Sequence, residues 1–173
     1  MSFVSPELVL GRLKLTPGQT VADLGTGAGV FALLAARQVG PDGLVYAVDV
    51  QKELLTRVDH DARSQGLNNV KVIWGNIEQA GGCQLADRSV DVVILANVLF
   101  QVDRLPGVAE EVTRLLKPGG QVLVIDWHQP VAPMAGRQLS PEIISETLID
   151  AGLSLVEEFS AGDNHFGLIF SKH

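Results

Sequence analysis

Gly25, Gly27 and Gly29 occupy alternate positions in the run Val21-Ala22-Asp23-Leu24-Gly25-Thr26-Gly27-Ala28-Gly29. A loop glycine can adopt positive φ, and its missing Cβ lets a ligand approach the backbone. The spacing differs from the dinucleotide fingerprint Gly-x-Gly-x-x-Gly, and no Gly-Lys-Ser/Thr follows to make a phosphate loop. Two carboxylates flank the glycines. Asp23 stands just ahead of them, where it would repel a pyrophosphate and suit a ligand carrying positive charge. Asp49 lies 24 positions after Gly25 and ends the next apolar run. A carboxylate there can accept hydrogen bonds from both hydroxyls of a ribose. Together these residues describe an adenosine ligand with a cationic tail, not a dinucleotide.

Such residues need strands that end side by side and helices that begin there. The sequence supplies both. Residues 5–14 read as a short helix with Ser5 as cap and Pro6 in its first turn. Strands are expected at 20–24, 44–48, 70–74, 90–96 and 121–126. Helices are expected at 30–39, 51–65, 106–116 and 140–151. Residues 76–89 read as irregular, and 127–139 as a loop. The segments 153–160 and 165–171 are too close for a crossover helix and are expected to pair as an antiparallel hairpin. Strands alternating with helices imply a mainly parallel, doubly wound sheet covered on both faces. The expected fold is therefore α/β with seven strands, as one domain over residues 1–173.

Five segments in this order resemble the motifs of the class I S-adenosylmethionine-dependent methyltransferases. The glycine run is the first, and Asp49 matches the ribose-binding acid. Gly75-Asn76-Ile77 stands where the family has Gly-Asp-Ala/Ile beside the adenine. Asp91-Val92-Val93-Ile94-Leu95-Ala96-Asn97 resembles the fourth-strand motif. The run from Leu115 to Asp126, with Leu116-Lys117-Pro118-Gly119-Gly120 inside it, resembles the fifth. The likeness covers about residues 10–171, with a weaker similarity to small bacterial quinone-biosynthesis methyltransferases. It implies a Rossmann-like methyltransferase fold with S-adenosylmethionine as cofactor and S-adenosylhomocysteine as product. It also implies roles. Gly25, Thr26, Gly27 and Gly29 would form the cofactor loop, and Asp23 would order the ammonium end. Asp49 would hold the ribose, and Val50 would pack on one adenine face. Asn76 and Ile77 would meet the adenine edge, and Asn97 or its backbone would meet the methionine end. Asn76 replaces the usual aspartate, so Glu78 stays open as an alternative adenine partner.

Methyl transfer from a sulfonium chiefly needs an aligned, dry pocket. A base is required only when the acceptor must lose a proton. The catalytic residues are unknown at this level; Asp126 and His128, after the fifth strand, are the candidates. Trp127 could stack on a planar acceptor, and Phe100 and Met134 could line an apolar one. No role is assigned to His165. Amino-methyltransferases of nucleic-acid bases typically carry Asn/Asp-Pro-Pro-Tyr/Phe after the fourth strand, and Asn97-Val98-Leu99-Phe100 lacks it. Cys83 is the only cysteine. That discounts cysteine-dependent base or arsenic methylation, an internal disulfide and a zinc site. No metal is expected.

The chain has 173 residues, 46% apolar, with a net charge of −7. The acidic balance argues against nucleic acid or anionic lipid as a partner held by bulk charge. Arg104, Arg114, Lys117 and Arg137 are the basic residues that could still cluster. The longest uncharged stretch, Leu24–Ala36, is 13 residues, short of the ~20 that a membrane helix needs. The expectation is a cytoplasmic enzyme acting on a small, partly apolar acceptor. Its oligomeric state is open, a homodimer included. Two alternatives stand beside it: a non-catalytic S-adenosylmethionine-binding subunit or sensor, and a methyltransferase for protein or RNA.

Overall fold

Residues 5–128 and 139–173 are described by the computed structural model. Seven strands form one sheet: β1 (Thr20–Leu24), β2 (Leu44–Asp49), β3 (Val70–Trp74), β4 (Val90–Ala96), β5 (Leu116–Trp127), β6 (Leu153–Ser160) and β7 (His165–Lys172). Their order is β3-β2-β1-β4-β5-β7-β6. β1 through β5 run parallel, while β7 is antiparallel to both β5 and β6. The helices are α1 (Pro6–Leu10), α2 (Val30–Val39), α3 (Lys52–Ser64), α4 (Leu105–Leu115) and α5 (Pro141–Asp150). This is the doubly wound, seven-stranded α/β sheet expected from the alternation of elements. β1 has β2 on one side and β4 on the other, so the winding reverses beside it. Crevices that bind ligands open at that reversal, beyond the carboxyl ends of the strands.

Because side chains alternate along a strand, the sheet sorts its residues into two cores. One face presents Val21, Val45, Ala47, Ile94, Leu123 and Ile125 to apolar residues of α1, α2 and α3. The other presents Ala22, Leu24, Leu95, Val124 and Phe166 to α4 and α5. Local signals start the helices. The Ser5 hydroxyl accepts from the Leu8 amide, and that of Ser140 from the Ile143 amide, each with proline in the first turn. α1 is shorter than expected, and residues 11–13 continue it as a 3₁₀ turn.

β5 starts five residues before the expected Gln121. Leu116 pairs with Val90, and the register shifts between Val90 and Val92 to absorb Lys117-Pro118-Gly119-Gly120. Gly119, at φ +79°, takes the left-handed backbone that the shift requires. Lys117 Nζ donates to both oxygens of Asp91 at 2.9 Å, tying the irregularity to β4.

The segment after β3 is irregular, as expected, and it is fastened to α4. Glu111 is fully buried. Its carboxylate accepts from the Gly81 amide at 2.7 Å, the Cys83 amide at 3.1 Å and two Arg114 nitrogens at 2.8 Å each. Burial alone would push this carboxyl up, but the guanidinium and the two amides more than offset it and hold it low. Arg114 also donates to the Leu85 carbonyl and to Asp87.

Candidate functional site

A cavity of about 620 Å³ opens at the carboxyl ends of β1, β2 and β4, on the sheet face that bears α1, α2 and α3. Its floor is the glycine loop. Asp23 is buried, and its Oδ2 accepts from Thr26 Oγ1 at 2.6 Å and from the Ala32 amide at 3.1 Å. The carboxylate thus fastens the loop to the first turn of α2. Burial pushes the Asp23 carboxyl up to about 6, against the opposing pull of those two bonds. The amides of Gly25 and Thr26 donate to the Val48 carbonyl at 2.8 and 2.9 Å, lacing the loop to β2.

The glycines divide their work. Gly25 has φ +75°, and a Cβ there would run into the side chain of Val98. Gly27 has φ +53° with no atom within 4 Å of a would-be Cβ, and it lines the cavity. That is the bare backbone a ligand can approach. Gly29 starts α2, and a Cβ on it would meet Val58 of α3 at 2.7 Å. It was expected in the cofactor loop, but it is not among the lining residues. Helix-to-helix packing accounts for it.

Asp49 is nearly buried at the end of β2. Its Oδ2 accepts from the Gly27 amide at 3.0 Å and its Oδ1 from the Gln51 amide at 2.9 Å. Each carboxylate oxygen has two acceptor sites, so capacity for ligand hydroxyls remains. Val50, 57% exposed, forms the rim next to it. Across the rim stand Asn76, Ile77 and Glu78. The Asn76 side-chain oxygen accepts from the Glu78 amide at 2.9 Å. Glu78 Oε2 accepts from the amides of Asp103 and Arg104 at 2.9 and 2.7 Å. Both side chains therefore hold their own loop in shape beside the cavity.

The opposite end is built by β4, β5 and β7. Asn97 sits at φ +54°, and its amide donates to the Ile125 carbonyl at 2.8 Å. Ile125, Trp127 and His165 complete the wall. Trp127 and His165 are directly opposed in the antiparallel pair, with ring centroids 3.8 Å apart. Asp126 and His128 are not among the lining residues, because alternation along β5 turns them to the other face. Asp126 is buried, and its two oxygens accept from the amides of Leu99 and Trp127 at 2.9 Å each. Burial pushes its carboxyl up to about 6 despite those bonds. His128 is exposed beside Phe166. Phe100 does not line the cavity, and Met134 lies outside the described residues.

Several lining residues had no sequence signal. Gln51, Gln101 and Pro6 join the wall, and His165 arrives only through the pairing of β7 with β5. The basic residues do not converge. Arg104 pairs with Glu110, Arg114 with Glu111 and Asp87, and Lys117 with Asp91; Arg137 lies outside the described residues. Among the described residues no three or more His, Cys, Asp or Glu gather into a metal site, and no helix is long and apolar enough to cross a membrane.

Residues 15–152 match the methyltransferase domain family. The chain belongs to that family. As a methyltransferase domain it is 35% identical over 147 residues to an arsenite methyltransferase of Halobacterium salinarum, covering 85% of this chain and 36% of that protein. It is 32% identical over 124 residues to a demethylmenaquinone methyltransferase of Geobacillus kaustophilus, covering 72% of this chain and 52% of the other. The domain therefore spans about a third to a half of these curated relatives. Its structure is similar to that of a SAM-dependent methyltransferase from Aquifex aeolicus, with a TM-score of 0.86 and 29% identity, covering 98% of this chain and 90% of that one. The cofactor of the domain is S-adenosylmethionine, which agrees with the expected phosphate-free adenosine ligand.

Proposed function

We propose that this domain transfers the methyl group of S-adenosylmethionine to a small, partly apolar acceptor. One observation supports the reading above the rest. Nine residues expected from the sequence to hold the cofactor, drawn from β1, β2, β3, β4 and the segments after them, line one cavity of about 620 Å³. That volume suits a ligand of this size. The chemistry of the lining fits as well. Gly27 leaves its backbone bare, Asp49 keeps acceptor capacity for two ribose hydroxyls, and among the described lining residues there is no lysine or arginine for a phosphate.

In this reading Gly25, Thr26 and Gly27 hold the methionine portion, and Asp23 complements its ammonium. Asp49 holds the ribose. Val50 would pack on one adenine face, while Asn76, through its amide nitrogen, and Ile77 would meet its edge. Asn97 closes the methionine end. Bound S-adenosylmethionine supplies an electrophilic methyl group on a positively charged sulfur. The chain's own contribution is to align that group with the acceptor and keep water out. Asp126, turned to the other face, shapes the turn after β4 through its backbone bonds and is not placed as a base.

The relatives' names support a small molecule as acceptor. Arsenite, a thiophilic oxyanion, fits this chain poorly, because Cys83 is fully buried, lies outside the cavity and has its thiol pushed up by burial and by Glu111. A neutral organic acceptor fits the apolar wall of Ile125, Val98 and Trp127.

Calorimetric titration with S-adenosylmethionine and S-adenosylhomocysteine tests the proposal. Both are expected to bind. Asp49→Ala is expected to weaken both by about 1.5–3 kcal/mol for each charge-assisted bond lost. Absence of binding at millimolar concentration in the folded protein would defeat the reading.

A further inference from the structure

Beside the end of the cavity formed by β5 and β7 lies one unexplained polar atom, enclosed by its surroundings instead of facing the open space. His165 is 7% exposed and lines the cavity, and its Nε2 has no hydrogen-bond partner among the described residues. An unsatisfied buried polar atom costs about 1–3 kcal/mol, and such atoms in native proteins call for an explanation. Ordinary core packing does not provide one here. Trp127, its partner across the strand pair, lies against the ring without a hydrogen bond to Nε2. Burial and the nearby His128 hold the imidazole below its usual value, so the ring is neutral near pH 7. A neutral imidazole has one donor nitrogen and one acceptor nitrogen, and its Cβ–Cγ torsion is soft enough to bring either to the cavity.

We propose that His165 is the group that binds and orients the methyl acceptor, and that the acceptor is a flat, uncharged molecule bearing a hydroxyl. The hydroxyl follows from the ring: it can donate or accept, so it satisfies the imidazole in either tautomer. The flatness follows from the wall. Trp127 offers an aromatic surface at 3.8 Å from the imidazole centroid, and aromatic surfaces favour offset or tilted planar partners. The absence of charge follows from the remaining lining at this end, where Ala96, Val98 and Ile125 are joined only by the uncharged Asn97 and Gln101, so that an ion would be left unpaired. His165 is a positioning residue in this proposal: it fixes where the hydroxyl sits relative to the cofactor end marked by Asn97. The inference rests on the methyltransferase reading above.

Equilibrium dialysis of the intact chain with 2-naphthol and with naphthalene, each in the presence of S-adenosylhomocysteine, separates the two claims. In the wild-type protein 2-naphthol is expected to bind about tenfold more tightly than naphthalene. His165→Ala is expected to remove that preference while leaving the affinity for S-adenosylhomocysteine unchanged. His165→Gln, which keeps a donor and an acceptor, is expected to restore part of it. The imidazole ¹⁵N resonances of His165 should move with 2-naphthol and stay put with naphthalene, a response that a purely structural histidine would not give. Equal binding of both probes, or a preference that survives in His165→Ala, would overturn the assignment of His165. Failure of S-adenosylhomocysteine itself to bind would instead overturn the functional reading beneath it.

Discussion

Three aspartates near the cavity show how one side-chain type takes different work from its surroundings. Asp49 keeps acceptor capacity at the rim. Asp23 accepts from the Thr26 hydroxyl and the Ala32 amide through one oxygen, Asp126 accepts backbone amides through both, and burial raises both to about 6. For Asp126 the unfolded value is the ordinary one, 3.8. Between those values the native state binds more protons than the unfolded state, so unfolding free energy falls as pH rises through the window and levels off above 6. Two units correspond to about 3 kcal/mol. Asp126→Asn removes this dependence but loses one acceptor for a backbone amide. The gap in stability between wild type and Asp126→Asn should therefore be wide at pH 4.5 and narrower at pH 7.5, as read by urea unfolding. A gap that does not change with pH would show that Asp126 titrates normally. In the sequence Asp49 was legible because its spacing from the glycines is local to one strand–helix–strand unit. That Asp126 stands off the cavity lining was not legible, for a physical reason: in a continuously apolar strand, nothing in the residue types marks which face is which.

At the scale of elements, the segment between β3 and β4 has no regular structure, yet it presents Asn76, Ile77 and Glu78 to the cavity. Glu111 holds it there. Glu111→Ala strips two loop amides of their acceptor and leaves Arg114 without its buried partner. The expected cost is about 3–5 kcal/mol, the range for breaking one side of a buried pair, measured by denaturant unfolding. A loss under 1 kcal/mol would mean that the loop is held by other means. The irregular segment and its three residues at the cavity were legible from the motif after β3; the anchor at Glu111 was not. A glutamate inside the apolar pattern of α4 reads as a solvated position until the loop is seen packed over it. The helices and strands themselves were legible because proline, serine and glycine punctuate them. The exception was the start of β5, where Lys117-Pro118-Gly119-Gly120 reads as a turn and is taken up as a register shift.

For the molecule as a whole, β7 is the strand that closes the design. It lies between β5 and β6 and pairs with both. Its side chains Phe166, Leu168 and Phe170 fill one core and Ile169 the other. A chain truncated before His165 is expected to lose cooperative unfolding and S-adenosylhomocysteine binding together, seen by circular dichroism and calorimetry. Retention of both would show that β1 through β5 suffice. Gly25 and His165 are 140 positions apart, so the two ends of the cavity come from residues made far apart in time. Without β7 both cores lack side chains that fill them. The wall opposite arrives only when β7 pairs with β5. Synthesis thus defers competence, because the floor for the cofactor and the wall for the acceptor are completed by the same late strand.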